Sequence, residues 1–198
     1  MTWSLLVSVA VFSFVTSVTP GPNNTFLLSS GANFGLRKSL PYLNGIMAGL
    51  TGMMIALGAG LGVIFTILPL VYQVLKWVGF GYIVWLAFQI IKSTSKSETA
   101  EPKYIGFAKA TTFQFVNPKA WVVVASFMAT SVPVGSGLVA TAYICLVFLL
   151  FTYPGALLWA VAGQVLKTWL SDPSRRRVFN IVSAILLVLS MVPVVFLH

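Results

Sequence analysis

The first apolar segment of the chain is interrupted by Thr19-Pro20-Gly21-Pro22-Asn23-Asn24. Two prolines and a glycine in three consecutive positions cannot lie in a regular helix interior, because proline there removes a backbone donor and costs about 3 kcal/mol. The flanks, residues 5–18 and 25–34, are nevertheless apolar enough to be buried in lipid or protein. Irregular backbone at membrane depth is tolerated only where protein or a water-filled cavity satisfies its polar groups. The pattern favours a functional break, since broken membrane helices bind substrate in transporters; a loop without a role is the alternative.

The composition is that of an integral membrane protein. The 198 residues are 58% hydrophobic and only 8% charged, whereas about a quarter of a soluble domain is charged. The formal net charge of +9 does not indicate nucleic-acid binding, because the basic residues fall in the gaps between apolar runs, as membrane topology requires. No Lys or Arg precedes Arg37, so we expect no cleaved signal peptide.

The alternation of apolar runs and polar links predicts six membrane spans. Their expected limits are 3–34, 41–68, 71–91, 110–131, 138–165 and 178–197. Ten of the twelve Lys and Arg residues lie in the links after spans one, three and five. Because positive charge stays on the cytoplasmic side of a membrane, both termini are expected on the outside.

The six spans divide into two halves of three. An odd number of spans gives the halves opposite orientations, and spans one and four, which occupy equivalent places, each contain a proline break. Weak internal symmetry of this inverted kind is typical of transporters. The predicted fold is an all-α integral membrane protein with six transmembrane helices in two inverted three-helix halves, with helices one and four broken. The single membrane domain has its halves at 1–92 and 110–198, joined by a cytoplasmic link at 93–109.

Each break contains signals for the start of a new helix. In Asn117-Pro118-Lys119, asparagine at the N-cap and proline at the first helical position predict a start inside span four. In span one, Thr19 could cap a helix opened by Pro20, or Asn23 or Asn24 could cap it instead. The N-terminus of a helix exposes unpaired N–H groups and about half a positive charge, so both starts are candidate anion sites.

Span two carries glycines at a helical spacing of four, at Gly45 and Gly49 and again at Gly58 and Gly62. Small residues at this spacing let helix backbones approach closely in lipid. The expected use is packing against a neighbouring helix of the same chain. A seam between two copies is the alternative, which leaves a homo-oligomer open.

Groups for acid–base or metal chemistry are scarce in the predicted spans. The three acids, Glu98, Glu101 and Asp172, all fall in links, and the chain has one cysteine, Cys145, and one histidine, His198. This distribution argues against a carboxylate proton relay, a cysteine-based metal site and an intramembrane enzyme. We therefore expect no metal, no cofactor and no enzymatic activity.

Apart from Lys76 near the start of span three, Lys119 is the one charged residue within a predicted span, which makes it a candidate functional group; the alternative is that its side chain extends along the helix to reach water. With the two helix starts, Lys119 would suit a carboxylate, and the side-chain carbonyls of Asn23, Asn24 and Asn117 could accept from an ammonium. A ligand with both a carboxylate and an ammonium group is a zwitterionic amino acid. The second ammonium group of a diamino acid would lack an acidic partner in the spans. Lys119 is also the basic group that could exchange a proton with the substrate. The predicted substrate-binding residues are Thr19, Pro20, Gly21, Pro22, Asn23, Asn24, Asn117, Pro118 and Lys119.

Four motifs follow one another along essentially the whole chain. They are the stretch Thr19-Pro20-Gly21-Pro22-Asn23-Asn24, Gly45-Ile46-xx-Gly49, Gly81-Tyr82-Ile83-Val84-Trp85-Leu86-Ala87, and Asn117-Pro118-Lys119. In this order they resemble the LysE/RhtB family of bacterial amino-acid exporters. The resemblance implies a multi-pass protein of the bacterial inner membrane, with periplasmic termini, that exports amino acids at the expense of the proton gradient.

One position departs from the pattern of that family. Many members have an acid directly after the second glycine of span two, where this chain has Leu50. A hydrophobic residue there resembles the branch that exports cysteine and O-acetylserine. We therefore expect a secondary transporter, by proton antiport, for small neutral amino acids or derivatives, of the cysteine/O-acetylserine or threonine/homoserine kind. Its partners would be the zwitterionic substrate, protons and membrane lipid, without nucleic acid. A passive channel for amino acids or small solutes is the alternative.

Overall fold

The computed structural model describes residues 2–61, 69–92, 104–132 and 137–189, and all regular structure in these ranges is helical, as predicted. The helices are α1 (Trp3–Val18), α2 (Pro22–Phe34), α3 (Leu36–Ala56), α4 (Pro69–Lys92), α5 (Phe107–Val116), α6 (Pro118–Ser131), α7 (Leu138–Leu166) and α8 (Pro173–Leu189). A π-helical turn (Leu57–Leu61) continues α3, and a 3-10 turn (Trp169–Ser171) precedes α8. The ends of the predicted second and sixth spans and most of the link at 93–109 lie outside the described residues, as do Gly62, Glu98, Glu101 and His198.

Membrane-crossing helices are present in the described part of the chain. Leu36–Ala59 and Leu138–Leu166 are each long and apolar enough to cross a bilayer. The helices α1 and α2 pass the same test as a pair, with a bend of 61° between them. These helices identify an integral membrane protein.

The second long helix begins earlier than predicted. α3 starts at Leu36 instead of residue 41, directly after α2, because Gly35 alone forms the corner between them. Gly35 has a φ of 81°, a left-handed conformation that glycine adopts without steric cost. The Leu36 N–H donates to the side-chain oxygen of Gln164 on α7 at 2.6 Å, which satisfies one of the free donors at the start of α3.

Because α3 begins early, two basic residues lie in a helix instead of in a link. Arg37 and Lys38 were expected in a link after the first segment, and they lie in the first turn of α3. Both remain exposed.

In the link before α8, Asp172 caps that helix by accepting the Arg175 N–H at 3.1 Å and the Ser174 N–H at 2.8 Å. These two backbone hydrogen bonds lower the pKa of the Asp172 carboxyl.

The helix α7 packs along both α1 and α2. The backbones of α2 and α7 touch, because a Cβ at Gly31 would overlap the Ala160 carbonyl and a Cβ at Gly163 would overlap the Leu28 carbonyl. Further along α7, a Cβ at Gly155 would overlap the side chain of a serine in α1. The sequence analysis did not predict these contacts of the three glycines, which bring α7 against both α1 and α2.

The helix α3 packs in a similar way against α5. A Cβ at Gly45 would lie 2.7 Å from the Ala110 Cβ, and a Cβ at Gly49 would overlap the side chain of Gln114. Both glycines therefore contact a neighbour within the same chain. Gly58, in the π-helical turn, has more room, with its nearest neighbour 3.9 Å from the position of a Cβ.

The third helix pair is α4 with α8. A small cluster of Ala87, Phe113 and Ala184 joins this pair to α5. The main core lies among α1, α2, α3, α6 and α7, where Phe127 and Phe148 stack with ring centroids 4.3 Å apart. The two helix breaks lie beside this main core.

Candidate functional site

The first break consists of Thr19, Pro20 and Gly21, between the last residue of α1 and Pro22 at the start of α2. A residue before proline is pushed out of the helical region into extended backbone. Thr19 has a ψ of 128°, and Gly21 is fully extended with φ 178° and ψ 178°. A new helix can therefore begin only at Pro22.

The predicted caps of α2 are wrong. Gly21 occupies the N-cap position, and no side chain caps the helix. The Thr19 hydroxyl donates instead to the Val15 carbonyl at 2.7 Å, at the end of α1. Asn23 and Asn24 lie inside the first turn of α2, because the two prolines fix its start ahead of them. The N–H groups of this first turn have no partner within their own helix.

The carbonyl groups at the end of α1 bind side chains from other places in the chain. The Asn24 amide donates to the carbonyls of Ser17 at 2.7 Å and Thr19 at 2.8 Å. The Lys119 ammonium donates to the carbonyls of Thr19 at 2.9 Å and Pro20 at 2.6 Å. A cation is favourable at the C-terminal end of a helix, where free carbonyls carry partial negative charge. Lys119 and Asn24 together complete the end of α1.

The absence of a side chain at Gly21 leaves room for the approach of Lys119. A Cβ at Gly21 would lie 2.7 Å from the lysine Nζ and 2.9 Å from its Cδ. The extended backbone at Gly21 is open to any residue, so the constraint is space and not conformation. Lys119 is half-buried, and its hydrogen bonds fasten α6 to the first break.

The second break is a single residue, Asn117, between α5 and α6. Its side-chain oxygen accepts the Lys119 backbone N–H at 3.1 Å, and its carbonyl accepts the Ala120 N–H at 3.0 Å. Pro118 is buried at the first helical position, where a missing N–H costs nothing. The helix starts where the Asn-Pro pair places it, and the cap is entirely local.

A pair of amides joins the start of α2 to α5. The Asn23 amide donates to the Gln114 side-chain oxygen at 2.8 Å, and Gln114 donates back to the Asn23 oxygen at 3.1 Å. Gln114 is fully buried and also donates to the Ala110 carbonyl at 2.9 Å. The amide oxygens of Asn23 and Asn117, which were expected to accept from a substrate ammonium, thus each accept from a protein N–H group.

A cavity of about 60 Å³ lies between the two breaks. One part of its wall is polar and contains Thr16, Ser17, Asn23, Asn24, Asn117 and Lys119, next to Gly21 and Pro22. The other part is mostly apolar and contains Ile46, Leu50, Ala120, Val123, Phe148, Thr152 and Ala156. The structure thus brings six of the nine predicted binding residues to one cavity. Thr19 and Pro20 contribute through the carbonyls that hold Lys119.

The sequence analysis missed four polar residues of this region, Thr16, Ser17, Gln114 and Thr152. Thr16, Ser17 and Thr152 line the cavity, and the side chain of Gln114 forms hydrogen bonds with that of Asn23. A polar side chain in a long apolar run was the available signal, and Gln114, between two phenylalanines shortly before the second break, carries it most clearly. Leu50, which was singled out for the acid that it replaces, lies in the apolar wall.

The cavity wall offers hydrogen-bonding groups and one cation, without a carboxylate among its described residues. Across the described part of the chain, no group of three His, Cys, Asp or Glu side chains is placed to hold a metal ion. Such a wall can bind and orient a small polar molecule by hydrogen bonds and charge.

Comparison with known proteins gives a consistent result. A family model described as LysE type translocator matches residues 14–197. The cysteine/O-acetylserine efflux proteins of Salmonella choleraesuis (strain SC-B67) and Escherichia coli (strain K12) are each 33% identical to this chain, over 95% of its length and 96% of theirs. No solved structure matches the chain.

Proposed function

The chain belongs to the family of LysE type translocators, and on this premise we propose that it exports small neutral amino acids or their derivatives across the bacterial cytoplasmic membrane by proton antiport. The observation that carries the proposal is the cavity at which the starts of α2 and α6 meet the Lys119 ammonium. Relatives named for cysteine/O-acetylserine efflux support this class of substrate.

The substrate carboxylate would bind at the start of α2. The first-turn N–H groups of α2 have no side-chain cap, and a helix N-terminus attracts anions. The Lys119 ammonium has three donors, and two of them hold the carbonyls of Thr19 and Pro20, which leaves the third for the substrate. The hydroxyl oxygens of the polar wall and the side-chain oxygen of Asn24 would accept from the substrate ammonium.

The substrate side chain would face the apolar wall formed by α3, α6 and α7. Ile46, Leu50 and Val123 lie in this wall, and an uncharged side chain is required there because burying an unpaired charge is costly. The volume of the cavity limits the side chain to a small one. These two conditions support neutral substrates of the size of cysteine or O-acetylserine.

We infer that the chain crosses the membrane six times in two inverted halves, with helices one and four broken. In that arrangement span one is α1 with α2, span four is α5 with α6, and spans two, three, five and six are α3, α4, α7 and α8. The helix contacts support it: α1 and α2 pack against α7, α5 packs against α3, and α4 packs against α8. When the halves are exchanged, the pairing of span one with span five becomes the pairing of span four with span two. The pairing of span three with span six is unchanged, as an inverted repeat requires.

The proposed orientation follows from the basic links and can be measured directly. A new cysteine at Ser95, on a Cys145→Ser background, would lie in the cytoplasm if both termini are periplasmic. A membrane-impermeant thiol reagent should therefore label it only in opened cells. Labelling of intact cells would reverse the orientation.

Proton coupling is assigned to Lys119. Of the residues that line the cavity, it is the one that gains or loses a proton in water, and it contacts the break at which substrate would bind. The test is flux of radiolabelled O-acetylserine and cysteine in vesicles that contain the purified protein. Accumulation against a concentration gradient is expected only with an imposed proton gradient. Equilibration without that gradient would indicate a passive channel, and the absence of flux for every neutral amino acid would overturn the proposed function.

A further inference from the structure

One hydroxyl group in the cavity wall has no hydrogen-bond partner within the described part of the chain. It belongs to Thr152 of α7, whose side-chain oxygen is inaccessible to solvent. The residue as a whole is 7% exposed. Proteins keep few such groups, because a buried hydroxyl without a partner gives up the hydrogen bonds that water would provide.

Other helical threonines of this protein avoid that loss. Six donate to the carbonyl four residues earlier, namely Thr16, Thr25, Thr51, Thr111, Thr112 and Thr130. The equivalent acceptor for Thr152 is the Phe148 carbonyl, which is the usual partner of a threonine in a helix interior. Because Thr152 does not use it, its unpaired hydroxyl distinguishes it from these six described threonines.

The position of Thr152 connects this exception to the cavity. Phe148 and Ala156 lie one turn before and one turn after it, on the same face of α7, and all three line the cavity. Its two neighbours along the wall are therefore apolar. Across the cavity, Ile46 and Leu50 of α3 are apolar as well. A hydroxyl in this wall has no role in packing that a methyl group would not fill.

We propose that Thr152 determines specificity: when substrate is bound its side chain turns about χ1, as a threonine in a helix can, and its hydroxyl then donates a hydrogen bond to a polar group on the side chain of the exported amino acid, such as a hydroxyl or an ester oxygen. This rests on the proposed function. The carboxylate and the ammonium of the substrate have partners at the breaks, and the part that reaches the apolar wall is the side chain. An apolar analogue of the same shape would leave the Thr152 hydroxyl unpaired, and a site of this kind rejects such an analogue.

The test uses two competitors that differ only by a hydroxyl and a methyl group, serine and 2-aminobutyrate. Export of radiolabelled O-acetylserine is measured in vesicles at increasing concentrations of each competitor. The preference is the ratio of the two competitor concentrations that halve the export rate. Wild type should prefer serine. Thr152→Val should reduce that preference about three- to tenfold, the loss of one hydrogen bond, and Thr152→Ser should keep it. Thr51→Val is the matched control, since the Thr51 hydroxyl donates to the Met47 carbonyl at 2.8 Å and lies outside the cavity wall.

A structural role for the hydroxyl would give a different result. Thr152→Val replaces an unpaired hydroxyl by a methyl group of similar size, so its melting temperature should be unchanged or raised. If the valine variant does not fold, Thr152→Ala must shift the preference in the same direction. A preference that is absent in wild type or that is unchanged in the apolar variants, as it would be if both competitors weakened equally, would overturn the assignment. It would do so while O-acetylserine export persists, whereas a wild type that exports no amino acid would overturn the proposed function itself.

Discussion

The break at Asn117 and the break at residues 19–21 both connect one helix to the next. They differ in how far along the sequence the side chains lie that form hydrogen bonds with their backbone. At the second break, the cap of α6 is the Asn117 side chain itself, two residues from the N–H that it accepts. At the first break, no side chain caps α2, and the carbonyls at the end of α1 depend on Asn24 and on Lys119, which is 100 positions away.

This difference supports the first break as the ligand-binding one in the proposed function. The second break satisfies its own backbone and supplies Lys119, so it acts as a support. The first break leaves the start of α2 without a side-chain cap and takes its support from the second. A break of this kind needs something else to bind its free N–H groups, which in the proposed function is the substrate carboxylate.

The largest effect is expected from removing the first break. Replacing Pro20, Gly21 and Pro22 together with alanine favours a continuous helix, because alanine is the best helix former. We expect insertion to survive and transport to be abolished, measured as O-acetylserine efflux at matched expression. Full efflux from the triple variant would show that the break is only a connection.

A smaller loss of function is expected when the Lys119 ammonium, which binds the carbonyls of the first break, is removed. Lys119→Met keeps length and apolar bulk and removes the charge, so substrate affinity should fall by about 2–5 kcal/mol, as is typical when one partner of a buried charge pair is truncated. Lys119→Arg should restore it only in part, because a guanidinium is a planar fork and a lysine is a point charge. Isothermal titration on purified protein gives the comparison. A dissociation constant of Lys119→Met within twofold of wild type would remove Lys119 from the site.

Removing the Asn117 cap of α6 should have a smaller effect than removing the Lys119 charge. It should lower the stability of the protein more than its affinity for substrate. Asn117→Ala removes the N-cap of α6, which costs about 1 kcal/mol. We expect a lower melting temperature in detergent with substrate affinity reduced only slightly, and Asn117→Ser should recover the stability. If Asn117→Ala instead weakens binding as strongly as Lys119→Met, the Asn117 side chain contacts the substrate directly and the division between the breaks is wrong.

The smallest effect is expected at Gly21. In Gly21→Ala the new methyl group would displace the end of the Lys119 side chain, which is flexible, so stability should be nearly unchanged. Affinity should fall severalfold, because the ammonium leaves the Thr19 and Pro20 carbonyls. In the double variant with Lys119→Met, the Gly21 substitution should have no further effect. Additive losses would mean that Gly21 acts independently of the lysine.

Sequence reasoning succeeded at the breaks where the deciding signal is local. Asn117-Pro118 defines its own helix start, and the described helices follow the predicted apolar runs closely. It failed where a contact spans the chain. The partners of Lys119 and the Asn23–Gln114 pair join residues 91 or more positions apart, and nothing in either short stretch indicates the other.

Two further features were missed for related reasons. The early start of α3 depends on the positive φ of Gly35 and on a hydrogen bond from the Leu36 N–H to the side-chain oxygen of Gln164, so a proline five residues later was mistaken for the start. The close contacts at Gly31 of α2 and Gly163 of α7 join segments that are far apart in the sequence. Their role becomes visible only when the two backbones are placed together.

The close crossing of α2 and α7 also limits how the molecule can move. A transporter exposes its cavity to the two sides of the membrane in turn, and rocking of whole bodies is the common way to do so. Backbones that touch at Gly31 and Gly163 cannot separate without losing that contact. We therefore expect α1, α2 and α7 to travel as one rigid unit against α3 and α5, so that each moving unit combines helices from both ends of the chain.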